Sequence, residues 1–295
     1  MSKQSTGDKF SDLEQWLIDN GGVFPKLYLK DYGNEVRGCH ALNQIYDDEV
    51  IVDIPLKCLI TVEMGKDTIV GQKVFDSKIE LDAPKHVYLM IFMLIDRLNP
   101  NSFFKPYYDV LPPTLHNMPI FWSKEELKYL QGSHTLEQID DRNKAIQSDY
   151  DSICKVAPEF SSISTLDEFK WARMCVCSRN FGCAINNVKT AVLVPYADML
   201  NHYRPRETKW SFEDESQSFR VTSLQPIASG AQVYDSYGMF IYNMCYVMYA
   251  RRGLVLTLVI YAAIILLYRY EMQPSLFTQL RLLSRKQCGS GWLLP

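Results

Sequence analysis

Apolar positions three and four apart open the chain, then give way at the first glycine pair to short alternating runs. Over 10–20, FSDLEQWLIDN, the residues Phe10, Leu13, Trp16 and Leu17 share one face of a predicted helix, which Gly21-Gly22 stops. From 23 to 64 the text divides into KLYLKDY, EVRGCHAL, EVIVDIP and LITVEM. Each reads as a short strand, with Gly33, Gly38, Asp47-Asp48 and Pro55 as breaks. Helical spacing returns at roughly 84–98, placing Val87, Met90, Ile91 and Leu94 inward. NPNSFFKPYYDVLPPT, 99–114, holds too many prolines to be one long element. Ser123 with Glu126, and Thr165 with Glu168, form capping-box pairs ahead of Leu127 and Leu130 and of FKWARMCVCSRNF. A polar helix is expected between them, at about 135–156. Strands return at AVLVPYA, QSFRVTSL and AQVYDSY, with Gly230 turning into the last. The expected class is α+β: strands, a helical insertion, then strands, without internal repeat.

The pattern changes in kind after Met239. Residues 253–268 are almost wholly apolar between Arg251-Arg252 and Arg269. A bilayer span needs about 20 such residues, so the run is borderline, and flanking tyrosines could lengthen it to 253–270. A buried helix or strand pair is the alternative. The expected division is an N-terminal helix at 1–20, a domain at 21–238 with its helical insertion at about 99–182, and a divergent apolar tail at 239–295.

Composition narrows the chemistry. With 295 residues, 47% hydrophobic and 22% charged, the chain can bury a sizeable core. A net charge of −3, without long like-charge runs, offers no basic field for nucleic acid. The eight cysteines form no CxxC pair, so no metal site is expected, and free buried thiols are the better reading. MSKQSTGDKF is too polar for a secretory signal, which points to a reducing compartment, cytoplasmic or nuclear.

Two runs remain that ordinary strand ends do not explain. VPYADMLNH at 194–202 closes an apolar strand on polar residues, and QVYDSYG at 232–238 follows one β-rich interval later. Together, and in this order, they resemble the SET-domain methyltransferases. The likeness is greatest to the branch of the Rubisco large-subunit lysine methyltransferase and the actin-histidine methyltransferase. RGCHALNQIYDDEVIVDIPLKCLITVEM resembles that family's opening strands; NSFFKPYYDVLP, KYLQGS and FKWARMCVCSRNF resemble its helical insertion. The resemblance covers about 20–238. It implies small sheets around a pseudoknot, in which the last strand threads beneath Asn201-His202. It also implies S-adenosylmethionine as cofactor and a protein side chain, lysine first, as substrate.

Carried over position by position, the resemblance gives cofactor contacts to Asp198, Met199, Leu200, Asn201 and His202, with Asn201 and His202 at the core. Arg179 matches an arginine able to fork to a carboxylate. Asp198 could instead cap the short turn it opens. Gly38 matches a glycine-rich turn before the cofactor, and His40 stands where several relatives carry a cofactor-contacting arginine. Tyr237 matches the catalytic tyrosine, while Phe181 and Tyr196 fall in the substrate channel. An apolar ring at 181 suits a lysine stem; the histidine-specific relative carries Asn there, so a histidine target stays open. Departures gather after Tyr237-Gly238, where MFIYNMCYVMYARRG replaces the family's Ser-Asn segment and its helical substrate lobe. An activity-impaired interaction module, or a core tethered to a membrane through the tail, is therefore the rival reading.

Overall fold

The computed structural model describes residues 8–33 and 36–237. The expectations for Gly238, for the 239–295 tail and its apolar run, and for the missing lobe lie outside these residues. No described helix is long and apolar enough to cross a membrane.

The chain opens with α1 (Lys9–Asp19), capped by Asp8 and ended where Gly21 takes φ +89°. Short strands follow: β1 (Leu27–Asp31), β2 (Arg37–Ala41), β3 (Val50–Pro55) and β4 (Ile60–Thr61). The helical part comprises α2 (Val62–Lys66), α3 (Ile69–Ser77), α4 (Pro84–Asp96), α5 (Lys105–Val110), α6 (Lys124–Leu127), α7 (Thr135–Val156), α8 (Phe160–Ile163) and α9 (Leu166–Arg179). Strands β5 (Asn180–Ile185), β6 (Val188–Leu193), β7 (Asn201–His202), β8 (Thr208–Glu213), β9 (Ser218–Ser223) and β10 (Tyr234–Asp235) complete it. They form four small sheets ordered β1-β2, β3-β9-β8, β4-β6-β5 and β10-β7; only the last pairing is parallel.

The predicted helices stand where periodicity put them. Val87, Met90, Ile91 and Leu94 are all buried on α4, and both capping boxes form. Three expectations shift. LITVEM is strand only at Ile60-Thr61, because the Thr61 hydroxyl accepts from Met64 N at 3.4 Å and starts α2 there. FKWARMCVCSRNF is helix only to Arg179: the Asn180 side chain takes the Val176 carbonyl at 2.8 Å, and β5 begins. Gly38 sits inside β2 and makes no turn. Helix thus runs from Val62 to Arg179, a wider insertion than about 99–182. Strand β8 was hidden in a charge-rich stretch, yet its Thr208, Trp210 and Phe212 alternate toward the core.

Two contacts hold the helices of the insertion to one another. Arg173 of α9 is 1% exposed and pairs with Asp82, and with Asp149 of α7 at 3.8 Å. At Gly65 of α2, a Cβ would land inside the van der Waals radius of the Tyr88 carbonyl on α4. Gly65→Ala is therefore expected to destabilise the fold by about 3 kcal/mol, since backbone cannot rotate away as a side chain can. Urea unfolding checks this: the midpoint should fall at unchanged slope. A variant as stable as the parent would mean that α2 lifts freely off α4.

Candidate functional site

The site begins where β6 ends. After Val194-Pro195 the chain reverses at Tyr196, whose φ of +74° and ψ of −48° are costly for an aromatic residue. Packing over-determines that conformation. The Tyr196 ring is fully buried and stacks on Phe24 at 4.0 Å, and its hydroxyl faces Cys39 Sγ at 4.0 Å and the carboxyl of Glu14. The reversal delivers Ala197–Met199 as a 3₁₀ turn and Asn201-His202 as β7.

The second wall arrives by threading. Ile227 pairs with Ile45, Gly230 N donates to Ala41 O at 2.7 Å, and Val233 N donates to Cys39 O at 2.8 Å. The chain then leaves β2 and runs parallel to β7, Tyr234 opposite Asn201 and Asp235 opposite His202. The 230–235 segment thus passes between β2 and β7. Gly38 permits this approach: a Cβ there would stand 2.5 Å from Gln232 Nε2. The two sequence runs meet as a result, and Tyr237 N donates to His202 Nδ1 at 3.0 Å with the two rings stacked at 5.2 Å.

Below this junction lies a buried charge cluster. Arg179, last residue of α9, sets Nη1 2.9 Å from Asp198 Oδ2, and Tyr107 of α5 donates its hydroxyl to the same oxygen at 2.9 Å. Burial works against the Arg179 charge, but Asp198 outweighs it and pushes its pKa up. Burial, then Asp198, holds the Tyr107 hydroxyl well above its ordinary value. Arg179 Nε and Asp198 Oδ1 are buried with no partner among the described residues. A ligand with both a donor and an acceptor would satisfy them.

Above the cluster, the Tyr237 hydroxyl donates to the Leu200 carbonyl at 2.5 Å. Burial of that end raises its pKa to about 12; Arg179 and Arg37 oppose the rise, Asp198 and Asp235 add to it. His202 is shifted down, first by burial and then by Arg204, with Asp235 opposing. A neutral imidazole is what accepting the Tyr237 N–H requires.

The structure brings Arg179, Asp198, Met199, Leu200, Asn201, His202 and Tyr237 together, and separates others. His40 is turned away: its Nε2 meets the Tyr32 hydroxyl and its Nδ1 the Gly230 carbonyl at 2.9 Å, so neither ring nitrogen is left for a ligand. Tyr196 lines no open channel, because stacking on Phe24 encloses it. The Phe181 ring packs at 5.5 Å from Trp210 and 5.0 Å from Phe219, at 8% exposure. Asp198 makes no side-chain cap; it pairs with Arg179 instead. Two residues escaped sequence reading, Tyr107 and Arg37. Arg37 was legible only as the strand neighbour of Gly38, and Tyr107 sat unmarked in an aromatic, proline-rich run.

No protein-family model matches the chain. Among curated proteins it is 28% identical over 242 residues to an actin-histidine N-methyltransferase of Papio anubis, and 27% to that of Homo sapiens. Each match covers 78% of this chain and 40% of the relative, so the chain spans about two-fifths of these proteins. Among solved structures it is similar to the SET domain of LSMT bound to lysine and AdoHcy. The TM-score is 0.69 at 22% identity, over 84% of this chain and 57% of that one. It is also similar to Rubisco LSMT bound to AdoMet, at TM-score 0.66 and 24% identity over 83% and 55%.

Proposed function

We propose that this chain, a SET domain of the branch represented by Rubisco LSMT and actin-histidine N-methyltransferase, moves a methyl group from S-adenosylmethionine to a protein side-chain nitrogen. One observation carries the reading: the parallel pairing of Asn201-His202 with Tyr234-Asp235, which seats the Tyr237 hydroxyl above the Arg179–Asp198 pair.

The residues present fit that cofactor. It carries a carboxylate and an ammonium, the complements of the orphaned Arg179 Nε and Asp198 Oδ1. Asn201 Nδ2 is committed to the Arg37 carbonyl at 2.8 Å, which leaves its Oδ1 to accept from a ligand. Bound there, S-adenosylmethionine would supply a methyl carbon made electrophilic by the adjacent sulfonium. The protein's part is to hold donor and nitrogen in line and to keep the nitrogen unprotonated, which a dry apolar wall favours. Tyr237, with a pKa of about 12, stays a hydroxyl at neutral pH and takes no proton itself. The proton leaves through water. A scan for transfer of tritiated methyl from S-adenosylmethionine to cell proteins tests the reading; no transfer and no S-adenosylhomocysteine binding would overturn it.

Lysine is the favoured target. The support is the resemblance at Phe181: lysine-specific relatives carry this apolar ring, which suits an alkyl stem and offers an imidazole no partner, and here it packs on Trp210 and Phe219. The actin-histidine relatives support histidine as the second reading. Phe181→Asn is expected to cut methylation of lysine peptides about tenfold while S-adenosylhomocysteine affinity changes less than threefold, because the buried amide lacks partners. Parallel assays on lysine and histidine peptides, with circular dichroism as fold control, check it. Equal losses in both measurements would reduce Phe181 to a core residue.

A further inference from the structure

We propose that one face of the β1-β2 sheet and the adjoining 203–206 loop form a docking surface for an acidic segment of the protein substrate, a proposal that rests on the methyl-transfer reading above. Strand alternation puts Tyr28, Lys30 and Tyr32 on one face of β1, beside His40, Gly38 and Val36 of the neighbouring chain. The rings of Tyr28 and Tyr32 lie 5.6 and 5.9 Å from the His40 ring. The Tyr32 hydroxyl meets His40 Nε2, and the Lys30 ammonium sits over the Tyr32 ring at 5.5 Å. The row continues where the 230–235 segment threads past Gly38. There Gln232 accepts the Tyr234 hydroxyl at 2.9 Å, and the Tyr234 ring packs on Tyr203 at 5.2 Å. Burial, and then Tyr32, Glu207 and Tyr203, raise the Tyr234 hydroxyl above its ordinary value, as fits neighbours in one row. Tyr32 is 46% exposed and Tyr203 49%, so the core takes up neither ring.

Charge decides what the row receives. The 203–206 loop is exposed throughout and carries Arg204 and Arg206 beside Tyr203. Arg204 acts on His202 and Arg206 on Asp235, which pair across β7 and β10, so both cations border the row. Lys30, also exposed, stands at its other end. The acids nearby do not cancel them. Asp235 is buried, Glu207 is half-buried against Tyr234, and Asp31 falls on the opposite face of β1, where it lines a cavity with Arg37. The exposed charge among the described residues of this face is therefore positive, on a chain of net charge −3. Tyrosine and arginine together suit a protein partner: the rings give contact area at low entropic cost, and guanidiniums fork to carboxylates. Three cations are too few to hold a phosphate backbone, and the closed Tyr203–Tyr234 contact leaves no slot between rings for a base. Tyr203 follows His202, on which Tyr237 stacks, so a segment lying along the row passes beside the site.

Fluorescence anisotropy of the full chain with labelled lysine-centred peptides, flanked by Glu, Gln or Lys, tests the surface. The Glu-flanked peptide should bind about tenfold tighter than the Gln-flanked one, as two or three exposed charge pairs allow. That advantage should shrink as salt rises from about 0.05 to 0.5 M. Lys30→Glu combined with Arg206→Glu should reverse the order of the Glu- and Lys-flanked peptides, while affinity for the Gln-flanked one changes less than about threefold. Arg206→Gln alone should cut the Glu advantage about threefold, and decides the matter if the double variant fails to fold. No preference for Glu, or one that the variants keep, would overturn the surface and leave the methyl-transfer reading standing. Displacement of the Glu-flanked peptide by oligothymidylate would give the row to nucleic acid and overturn the proposal as well. A Glu preference that the variants remove, in a protein that transfers no methyl and binds no S-adenosylhomocysteine, would overturn the methyl-transfer reading and with it the partner's part as substrate.

Discussion

Asn201→Ala should abolish calorimetrically measurable S-adenosylhomocysteine binding while the domain stays folded. Asn201 sits where three segments meet: it belongs to β7, pairs with Tyr234 of β10, and reaches the Arg37 carbonyl of β2 at 2.8 Å. Truncation deletes a ligand acceptor and also frees β2 at Arg37, whose Nε reaches the Met199 thioether. Losing two hydrogen bonds, one leaving a shielded carbonyl unpaired, costs about 2–4 kcal/mol, or about 30- to 1000-fold in affinity. The fold should survive, because backbone pairing of β7 with β10 does not use the side chain, which is only half-buried. Circular dichroism and urea unfolding supply the control. Unchanged affinity in a folded variant would remove Asn201 from the site.

How far the sequence revealed this site depends on what kind of force places each residue. Helices α1, α4, α7 and α9 were legible because their apolar spacing and capping pairs are local. The Asn201-His202 and Tyr237 runs were legible because polar residues end apolar strands there. What stayed hidden was set by tertiary contact. Nothing local says that Arg37 points at Met199, or that His40, three residues on, is turned toward Tyr32 and Gly230. In β2, Arg37 and His40 fall on opposite faces, and the strand's facing is fixed only by its register with β1, Tyr28 opposite His40. Tyr107 is recruited across 91 residues by a single carboxylate. Gly38 was recognised as a glycine that mattered, but the cause is the approach of Gln232, which belongs to the threading and not to a turn. Tyr196 was placed in the substrate channel by the resemblance alone; here its reversal at positive φ leaves the ring stacked on Phe24 instead.

Tyr237→Phe should lower the methylation rate about 100- to 1000-fold, the range for a hydrogen-bonding group that acts in the transition state, with S-adenosylhomocysteine affinity unchanged within about threefold. The hydroxyl proton is already given to the Leu200 carbonyl at 2.5 Å, so the oxygen can only accept from an incoming group. An accepting oxygen orients a neutral amine through its N–H, aims the lone pair at the methyl, and stabilises the positive charge that grows on nitrogen. The cofactor wall is spared, because the Tyr237 backbone N–H stays on His202 and the ring stays stacked when the hydroxyl is gone. The pH dependence separates this role from that of a base. Tyr237 is raised to about 12, above its ordinary value near 10, so the hydroxyl form persists through the working range and ionisation is resisted until pH passes about 12. Parent and variant should therefore show the same rise in rate between pH 7 and 10, displaced by a constant factor and set by deprotonation of the target amine. A variant whose profile flattens would make Tyr237 the proton acceptor. One that loses cofactor binding yet keeps its turnover per bound cofactor would make it a binding residue alone.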